Sequence, residues 1–379
     1  MDFELPEEIR MLADAAYRFA KSEFPKYARD CDREEKFPWD LWKQACELGF
    51  VGAWIPEEYG GGGVGRLGFA VILEQFSRVD LGLSHILSTT FGADLIHLYG
   101  TKEQKAKYLP LLVAGEAISA GAFTEADAGT DVAGIRTRAV KDGNEYVING
   151  SKMFITNGTI CDFMVVLCIT NPEAEKRHRR QSLILVEADR PGITRTKIHG
   201  KMGIRASDTG EITFDNVRVP MENLIGEEGR GFHEVMHMFN VTRASVAARG
   251  VGCAQGALDL AISYVKERKV FGQPLAAFQA TQFKIAEMAT RIELARNVVY
   301  KAAWKLDQGE LDPTLSAIAK YYAGETAVWV ANQALQLHGG YGYIDEYDVQ
   351  RFYRDAKILE IYEGTTEAEK LTIARRLLA

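Results

Sequence analysis

The sequence predicts a multidomain fold of mixed α and β structure, with helices first, a β domain in the middle and a helical bundle last. Three observations carry this. An apolar period of three to four residues runs to about Ala117. Short β-rich runs separated by turn signals fill 118–226. The helical period then returns from Gly231 and persists to the end. A chain of 379 residues is too long for one small domain. The expected domains are 1–117 (N-terminal helical), 118–226 (middle β) and 227–379 (C-terminal helical bundle).

In the first zone Ile9, Leu12, Ala16 and Phe19 give one apolar helix face, and Trp42, Ala45 and Leu48 give another. The Gly-rich stretch Tyr59 to Gly65 interrupts. A further helix is expected through Phe69, Ile72, Leu73 and Phe76. In the second zone a strand-like run is expected to end at Val147-Ile148-Asn149-Gly150. Lys141-Asp142-Gly143-Asn144 reads as a hairpin turn, because Asp-Gly readily adopts the positive φ such turns need. Met164–Thr170, Ser182–Val186 and Glu211–Val219 are further strands, and Asp189-Arg190-Pro191-Gly192 is a turn between them. Strands at this spacing predict a small β-barrel or sandwich. In the third zone Ile285, Met288, Ile292, Ala295, Val299, Ala302 and Leu306 alternate three and four apart, the seam of long packed helices.

Composition narrows the function. Hydrophobic residues make up 47% and charged residues 26%, which suits a globular chain that needs no disulfide or metal to fold. A net charge of −7 argues against a nucleic-acid binder but leaves a nucleotide ligand open. Cys31, Cys46, Cys161, Cys168 and Cys253 are scattered without a Cys-x-x-Cys, so buried thiols in a reducing compartment are expected and no metal site is. Met1 to Arg10 is acidic and amphipathic, unlike a signal or transit peptide, and no apolar run is long enough for a membrane span. A cytoplasmic protein is the expectation, with a mature organellar form left open.

The chemistry-bearing segments lie in a fixed order. They are Phe123-Thr124-Glu125-Ala126-Asp127-Ala128-Gly129-Thr130-Asp131, Lys152-Met153-Phe154-Ile155-Thr156-Asn157, Gly203-Ile204-Arg205-Ala206-Ser207-Asp208-Thr209, Glu267-Arg268-Lys269-Val270-Phe271-Gly272 with Phe278-Gln279, Gln336-Leu337-His338-Gly339-Gly340-Tyr341-Gly342 and Ile361-Tyr362-Glu363-Gly364-Thr365-Thr366-Glu367. Together they resemble the acyl-CoA dehydrogenases over nearly the whole chain. The resemblance implies an N-terminal helical domain, a middle β domain and a C-terminal four-helix bundle. It also implies FAD bound between the β domain and the bundle, a homotetramer, an acyl-CoA substrate, and electrons passed to an electron-transferring flavoprotein.

On that resemblance Glu363 is the base that takes the α-proton, its own amide is one donor to the thioester oxygen, and Tyr362 and Gly364 flank the substrate. Some relatives carry the base on a bundle helix. Thr242 stands at that position here and cannot serve. Phe123, Thr124, Gly129, Thr130, Phe154 and Thr156 are expected at the flavin, with Thr130 also near the substrate. Thr130 replaces a serine and Phe154 a tryptophan. Arg268 is expected on the pyrophosphate, and Phe271, Gln279, Gln336, Gly340, Thr365 and Glu367 complete the dinucleotide site, part of it from a neighbouring subunit. Arg243 and Asn240 are expected on CoA, with Asn240 replacing an aspartate.

Three signals are read more plainly. Tyr59 to Gly65 lacks the strand and the Lys-Ser/Thr of a phosphate loop, so a flexible connector is expected. Lys176-Arg177-His178-Arg179-Arg180 reads as a solvated hairpin tip, with a contact to the CoA phosphate as the sharper alternative. His338 reads as a helix-end histidine. The segment Leu83 to Phe91 is the expected lining for the acyl tail. It holds no arginine, which argues against a dicarboxylic substrate. An acyl-CoA oxidase, an enoyl-CoA reductase and, remotely, a non-catalytic helical scaffold are the competing readings.

Overall fold

The computed structural model describes residues 4–378, so Met1, Asp2 and Phe3 of the acidic N-terminal stretch lie outside the described residues. Six α-helices precede the first strand: α1 (Glu7–Glu23), α2 (Ala28–Glu34), α3 (Trp39–Glu47), α4 (Gly65–Val79), α5 (Ala93–Tyr99) and α6 (Lys102–Val113). Each begins for a local reason where one is visible. Thr101 opens α6 with a capping box: its Oγ1 accepts from Gln104 N at 3.2 Å, and Gln104 Oε1 accepts from Thr101 N at 2.9 Å. Helix α4 has no cap of its own. Asp307, more than two hundred residues away, accepts from Arg66 N at 2.5 Å and Leu67 N at 2.9 Å.

The Gly-rich stretch before α4 is packed, contrary to the flexible connector expected. Gly63 N bonds Ile55 O at 3.0 Å and Val64 N bonds Ala53 O at 3.1 Å. A Cβ on Gly61 would lie 2.0 Å from Ile55 O. Glycine is used there for close backbone approach, not for mobility.

The β domain holds β1 (Ser119–Ala122), β2 (Arg138–Asp142), β3 (Glu145–Thr156), β4 (Phe163–Ile169), β5 (Gln181–Glu187), β6 (Ile193–Lys197), β7 (Thr209–Pro220) and β8 (Leu224–Ile225). The pairing order is β6-β7-β3-β2-β4-β5-β8, with β1 added parallel to β4. The β2–β4 link is a single pair, Arg138 with Ile169, so two antiparallel halves meet at one fold line. The β2–β3 hairpin turns at Gly143, whose φ is +59°, as the Asp-Gly signal requires. Gly150 does not end the strand, as had been expected. It is a bulge at φ +144°, after which β3 continues to Thr156.

The C-terminal helices are α7 (Gly231–Glu267), α8 (Gln279–Asp307), α9 (Pro313–His338), α10 (Val349–Ala356) and α11 (Thr366–Leu377), with a small hairpin of β9 (Lys269–Val270) and β10 (Gln273–Pro274) after α7. The seam read from sequence is buried at Met288, Ile292, Ala295, Val299 and Ala302 and half-buried at its ends, Ile285 and Leu306. Asp312 caps α9 through Thr314 N and Leu315 N, with Pro313 at the first helical position. The two helical regions share a core. Buried Glu74 of α4 pairs with Arg296 of α8 at 2.9 Å and accepts from Tyr300 Oη at 2.8 Å, and Arg78 pairs with Asp259 of α7 at 2.6 Å. Among the described residues no helix is long and apolar enough to cross a membrane.

Candidate active site

Glu363 sits in the turn between α10 and α11, at φ +50°. A left-handed backbone is uncommon for a residue with a side chain, so this position is held by its surroundings. The holding groups are three buried charges. Arg243 reaches Asn240 Oδ1 at 2.7 Å, Glu369 Oε1 at 2.9 Å and, more weakly, Glu363 O at 3.4 Å. Lys320 donates to Gly364 O. A Cβ on Gly364, itself at φ +105°, would lie 2.0 Å from Glu369 Oε1. Every nitrogen of the Arg243 guanidinium thus has a partner inside the chain, and the geometry makes it a clamp on the Glu363 turn.

The carboxylate of Glu363 accepts from Thr242 Oγ1 at 2.6 Å. Burial raises its pKa above the usual range; the Thr242 hydrogen bond and the Arg249 charge oppose this and Asp94 adds to it. Burial also lowers Lys320 to about 8, against the pull of Glu369 and Glu363.

Glu363 shares a pocket with the two expected flavin loops: Phe123, Thr124, Phe154 and Thr156 line it together with Thr242 and Tyr362. Lys152 ties the loops to each other. Its fully buried Nζ lies 2.9 Å from Glu125 Oε1 and 3.1 Å from Phe123 O, while Met153 N bonds Thr124 O at 2.9 Å. Burial pushes Glu125 up, but Lys152 and Thr137 outweigh it and hold the carboxyl below its ordinary value. A second bulge in β3, between Lys152 and Ile155, sets Phe154 at φ +60° with its ring 63% exposed. An aromatic ring left open at a strained position is available for stacking. Gly129 and Thr130 lie on the exposed part of the first loop, outside the pocket lining.

The expected acyl lining is present in part, as His85, Leu87, Ser88, Thr90 and Phe91 face the pocket. Thr89 instead accepts from Trp42 Nε1 at 3.0 Å. Arginines do reach the pocket: Arg66 from α4 and Arg249 from α7. The lack of arginine in 83–91 therefore gives no ground for excluding an anionic tail. Arg66 pairs with buried Asp94 at 2.7 Å and stacks on Trp54 at 4.5 Å, and Arg249 donates to Ser88 Oγ at 2.9 Å. None of Arg66, Asp94, Arg249, Lys320 or Glu369 was singled out from the sequence, and His85 only as one of the expected acyl lining.

Arg268 and Gly340 line a second cavity with Tyr264, His338 and Tyr341, and it shares no residue with the first. Arg268 stacks on Tyr341 at 5.5 Å, and a Cβ on Gly340 would meet nothing within 4 Å. Phe271 beside it is 96% exposed. Gln279 and Gln336 are exposed at the start of α8 and near the end of α9. His338 ends α9 as expected, bonding Ala334 O at 2.8 Å and stacking on Tyr264. Thr365 caps α11 by accepting from Ala368 N at 3.2 Å, and Glu367 is exposed on the first turn. The basic run forms a short turn between β4 and β5, where Arg177 pairs with Asp131 at 2.7 Å and the His178 ring packs on Phe232.

Three family models cover the chain: the acyl-CoA dehydrogenase N-terminal domain over 6–116, the middle domain over 120–217 and the C-terminal domain over 229–378. A probable acyl-CoA dehydrogenase of Bacillus subtilis, YngJ, is 43% identical, with all of both chains covered. An acryloyl-CoA reductase (NADH) of Anaerotignum propionicum is also 43% identical, over 100% of this chain and 96% of its own. Among solved structures, butyryl-CoA dehydrogenase of Megasphaera elsdenii superposes with a TM-score of 0.96 at 38% identity, both chains fully covered. A chain solved in work on the electron transferring flavoprotein of Acidaminococcus fermentans and flavin-based electron bifurcation gives 0.97 at 40% identity, again over the full length of both. With the helix–β–helix order and the half-buried glutamate facing both loops, these matches make the chain a member of the acyl-CoA dehydrogenase family of FAD-dependent oxidoreductases.

Proposed function

We propose that the chain removes two hydrogens from the α and β carbons of an acyl-CoA thioester, giving the 2-enoyl-CoA, with Glu363 as the α-proton base. The observation that supports this most is the shared pocket: one half-buried carboxylate faces the Phe123–Thr124 and Phe154–Thr156 loops together. The α-proton of a thioester is weakly acidic, so a base must be fixed beside it and the developing oxyanion must find donors. Burial keeps the Glu363 carboxylate basic, and Thr242 aims one of its oxygens. The Glu363 amide would donate to the thioester oxygen. Arg243, Lys320 and Glu369 are positioning residues that hold the turn in which both groups sit.

FAD, when bound, supplies the hydride acceptor and a hydroxyl donor to the thioester oxygen. The residues present fit it. Phe154 offers an open ring face, Thr124, Thr130 and Thr156 offer hydroxyls, and Gly340 leaves room beside Arg268, whose guanidinium suits a pyrophosphate. Phe271 follows Val270 and Gln336 precedes Leu337 of that cavity's lining, and Gln279 opens the helix that begins shortly after Leu275. Because the two cavities share no residue, we assign the second to a neighbouring copy's cofactor, which requires a homo-oligomer; a tetramer fits the reading. An electron-transferring flavoprotein as acceptor is supported by the likeness to the Acidaminococcus chain.

The test is anaerobic bleaching of the flavin by a panel of straight, branched, cyclic and dicarboxylic acyl-CoAs, with Glu363→Gln as control. The variant should keep its flavin and bind acyl-CoA yet lose turnover. Residual activity within a few-fold of the parent would move the base elsewhere. The match to an acryloyl-CoA reductase favours a second reading, in which the enzyme works toward the saturated thioester. Faster reoxidation of the reduced protein by enoyl-CoA than bleaching by acyl-CoA would select it.

A further inference from the structure

The pocket that holds Glu363 carries more polarity than a hydrocarbon tail can use. On the wall supplied by the N-terminal helices, His85 is 3% exposed and Asp94 5%. His85 Nδ1 lies 2.9 Å from Leu81 O, so this nitrogen carries the hydrogen and Nε2 is a bare acceptor. Burial and the Arg249 charge hold the ring well below its usual pKa, which keeps it neutral. Its Nε2 has no hydrogen-bond partner among the described residues. Asp94 Oδ1 lies 2.7 Å from Arg66 Nη2 yet accepts no well-directed hydrogen bond. Opposite in chemical sense, Arg249 is buried on the same pocket beside the Tyr362 hydroxyl and near the Glu363 charge, donates to Ser88 Oγ, and forms no ion pair among the described residues.

An alkyl tail filling this space would leave the His85 Nε2 lone pair without a donor and offer nothing to Asp94, Arg66 or Arg249 beyond the partners they already have. A carboxylate tail would pair with Arg249 but would also meet the Asp94 carboxylate and the His85 lone pair. A keto oxygen accepts and cannot donate. A hydroxyl does both: it can donate to His85 Nε2 or Asp94 and accept from Arg249 or Arg66.

We propose that this pocket takes an acyl group bearing a hydroxyl on its tail, read by His85, Asp94, Arg66 and Arg249. The assignment rests on the acyl-CoA dehydrogenation reading and names its substrate class. Sites built to hydrogen-bond a substrate hydroxyl reject the analogue that lacks it.

The test uses the flavin-loaded Glu363→Gln protein, in which binding is measured without turnover. Calorimetry would compare 5-hydroxypentanoyl-CoA with pentanoyl-CoA, glutaryl-CoA and octanoyl-CoA. The hydroxy thioester should bind at least about tenfold tighter than pentanoyl-CoA. Replacing the buried ion pair whole, as Arg66→Leu with Asp94→Leu, should keep the fold and erase most of that preference. Equal or tighter binding of pentanoyl-CoA or octanoyl-CoA would overturn the assignment, as would glutaryl-CoA binding tightest, which would make the tail a carboxylate. The same four thioesters would be used to bleach the parent enzyme. Bleaching by any of them upholds dehydrogenation even where the tail assignment fails; bleaching by none overturns the tail assignment, and the branched and cyclic thioesters of the wider panel then decide dehydrogenation by themselves.

Discussion

Thr242 Oγ1 donates to Glu363 Oε2 over 2.6 Å, so the bundle helix and the C-terminal turn meet at one carboxylate. A hydrogen bond to the ionised form lowers a carboxyl pKa. Thr242→Val removes that bond and should raise Glu363 further. The base works ionised, so the acid limb of the kcat/KM profile should move to higher pH, with the larger loss of turnover at low pH. An unshifted limb would show that the bond does not tune the base.

Gly364 is confined by conformation and by space. Gly364→Ala would place a methyl 2.0 Å from Glu369 Oε1 at a backbone angle of φ +105°. We expect a loss of about 1–3 kcal/mol in unfolding free energy and a fall in kcat larger than any change in KM. Thermal melting and steady-state kinetics check this.

Lys152 and Glu125 form a buried pair, at 0% and 9% side-chain exposure, between the two loops proposed to hold the flavin. Lys152→Met leaves Glu125 without its cation and should cost about 3–5 kcal/mol. Flavin content, read from the visible absorbance, should fall with it.

Asp355 accepts from Ile204 N at 2.6 Å and lies near Asp80, as shown by Gly82, whose Cβ would approach both carboxylates. Burial and the Asp80 charge raise its pKa. A carboxyl raised on folding binds its proton more tightly in the native state, so stability falls as pH rises from the ordinary carboxylate range to the raised one. Asp355→Asn keeps the acceptor and removes the titration. Its melting temperature relative to the parent should improve as pH rises through that window. A constant difference would refute the linkage.

Phe271 is 96% exposed beside the Arg268 cavity. Phe271→Asp should weaken self-association and lower flavin content, measured by sedimentation and absorbance. An unchanged oligomer with full flavin would place the neighbouring copy elsewhere.

The order of helices and strands was legible because each period is long or closed by a turn signal. Of the strands missed, besides the two-residue β8, β9 and β10, two went unread for physical reasons. Thr194, Arg195 and Thr196 in β6 face solvent, which leaves no apolar alternation to read, and β1 is a run of small residues, Ser119 to Ala122. The site was legible where its residues are contiguous, as in the loops at 123–131 and 152–157. Its polar wall was legible only in His85, within the 83–91 segment, because Arg66, Asp94 and Arg249 come from separate elements and each looks like an ordinary polar residue. One signal was present. Arg249 lies in Ala247-Ala248-Arg249-Gly250-Val251 and Lys320 follows Ala317-Ile318-Ala319, charges set into small apolar helical runs that only a buried face explains.

The Asp307 carboxylate at the end of α8 caps the start of α4 from outside, and Glu74 with Arg296 repeats the link one layer deeper. The helix that carries Arg66 into the pocket is therefore begun by a residue from the last part of the chain. The N-terminal segment, released on its own, would lose both the cap on α4 and the partner of a buried glutamate. The points where the period changes mark changes of architecture and not seams of independent folding, and the two helical regions should melt in one cooperative transition.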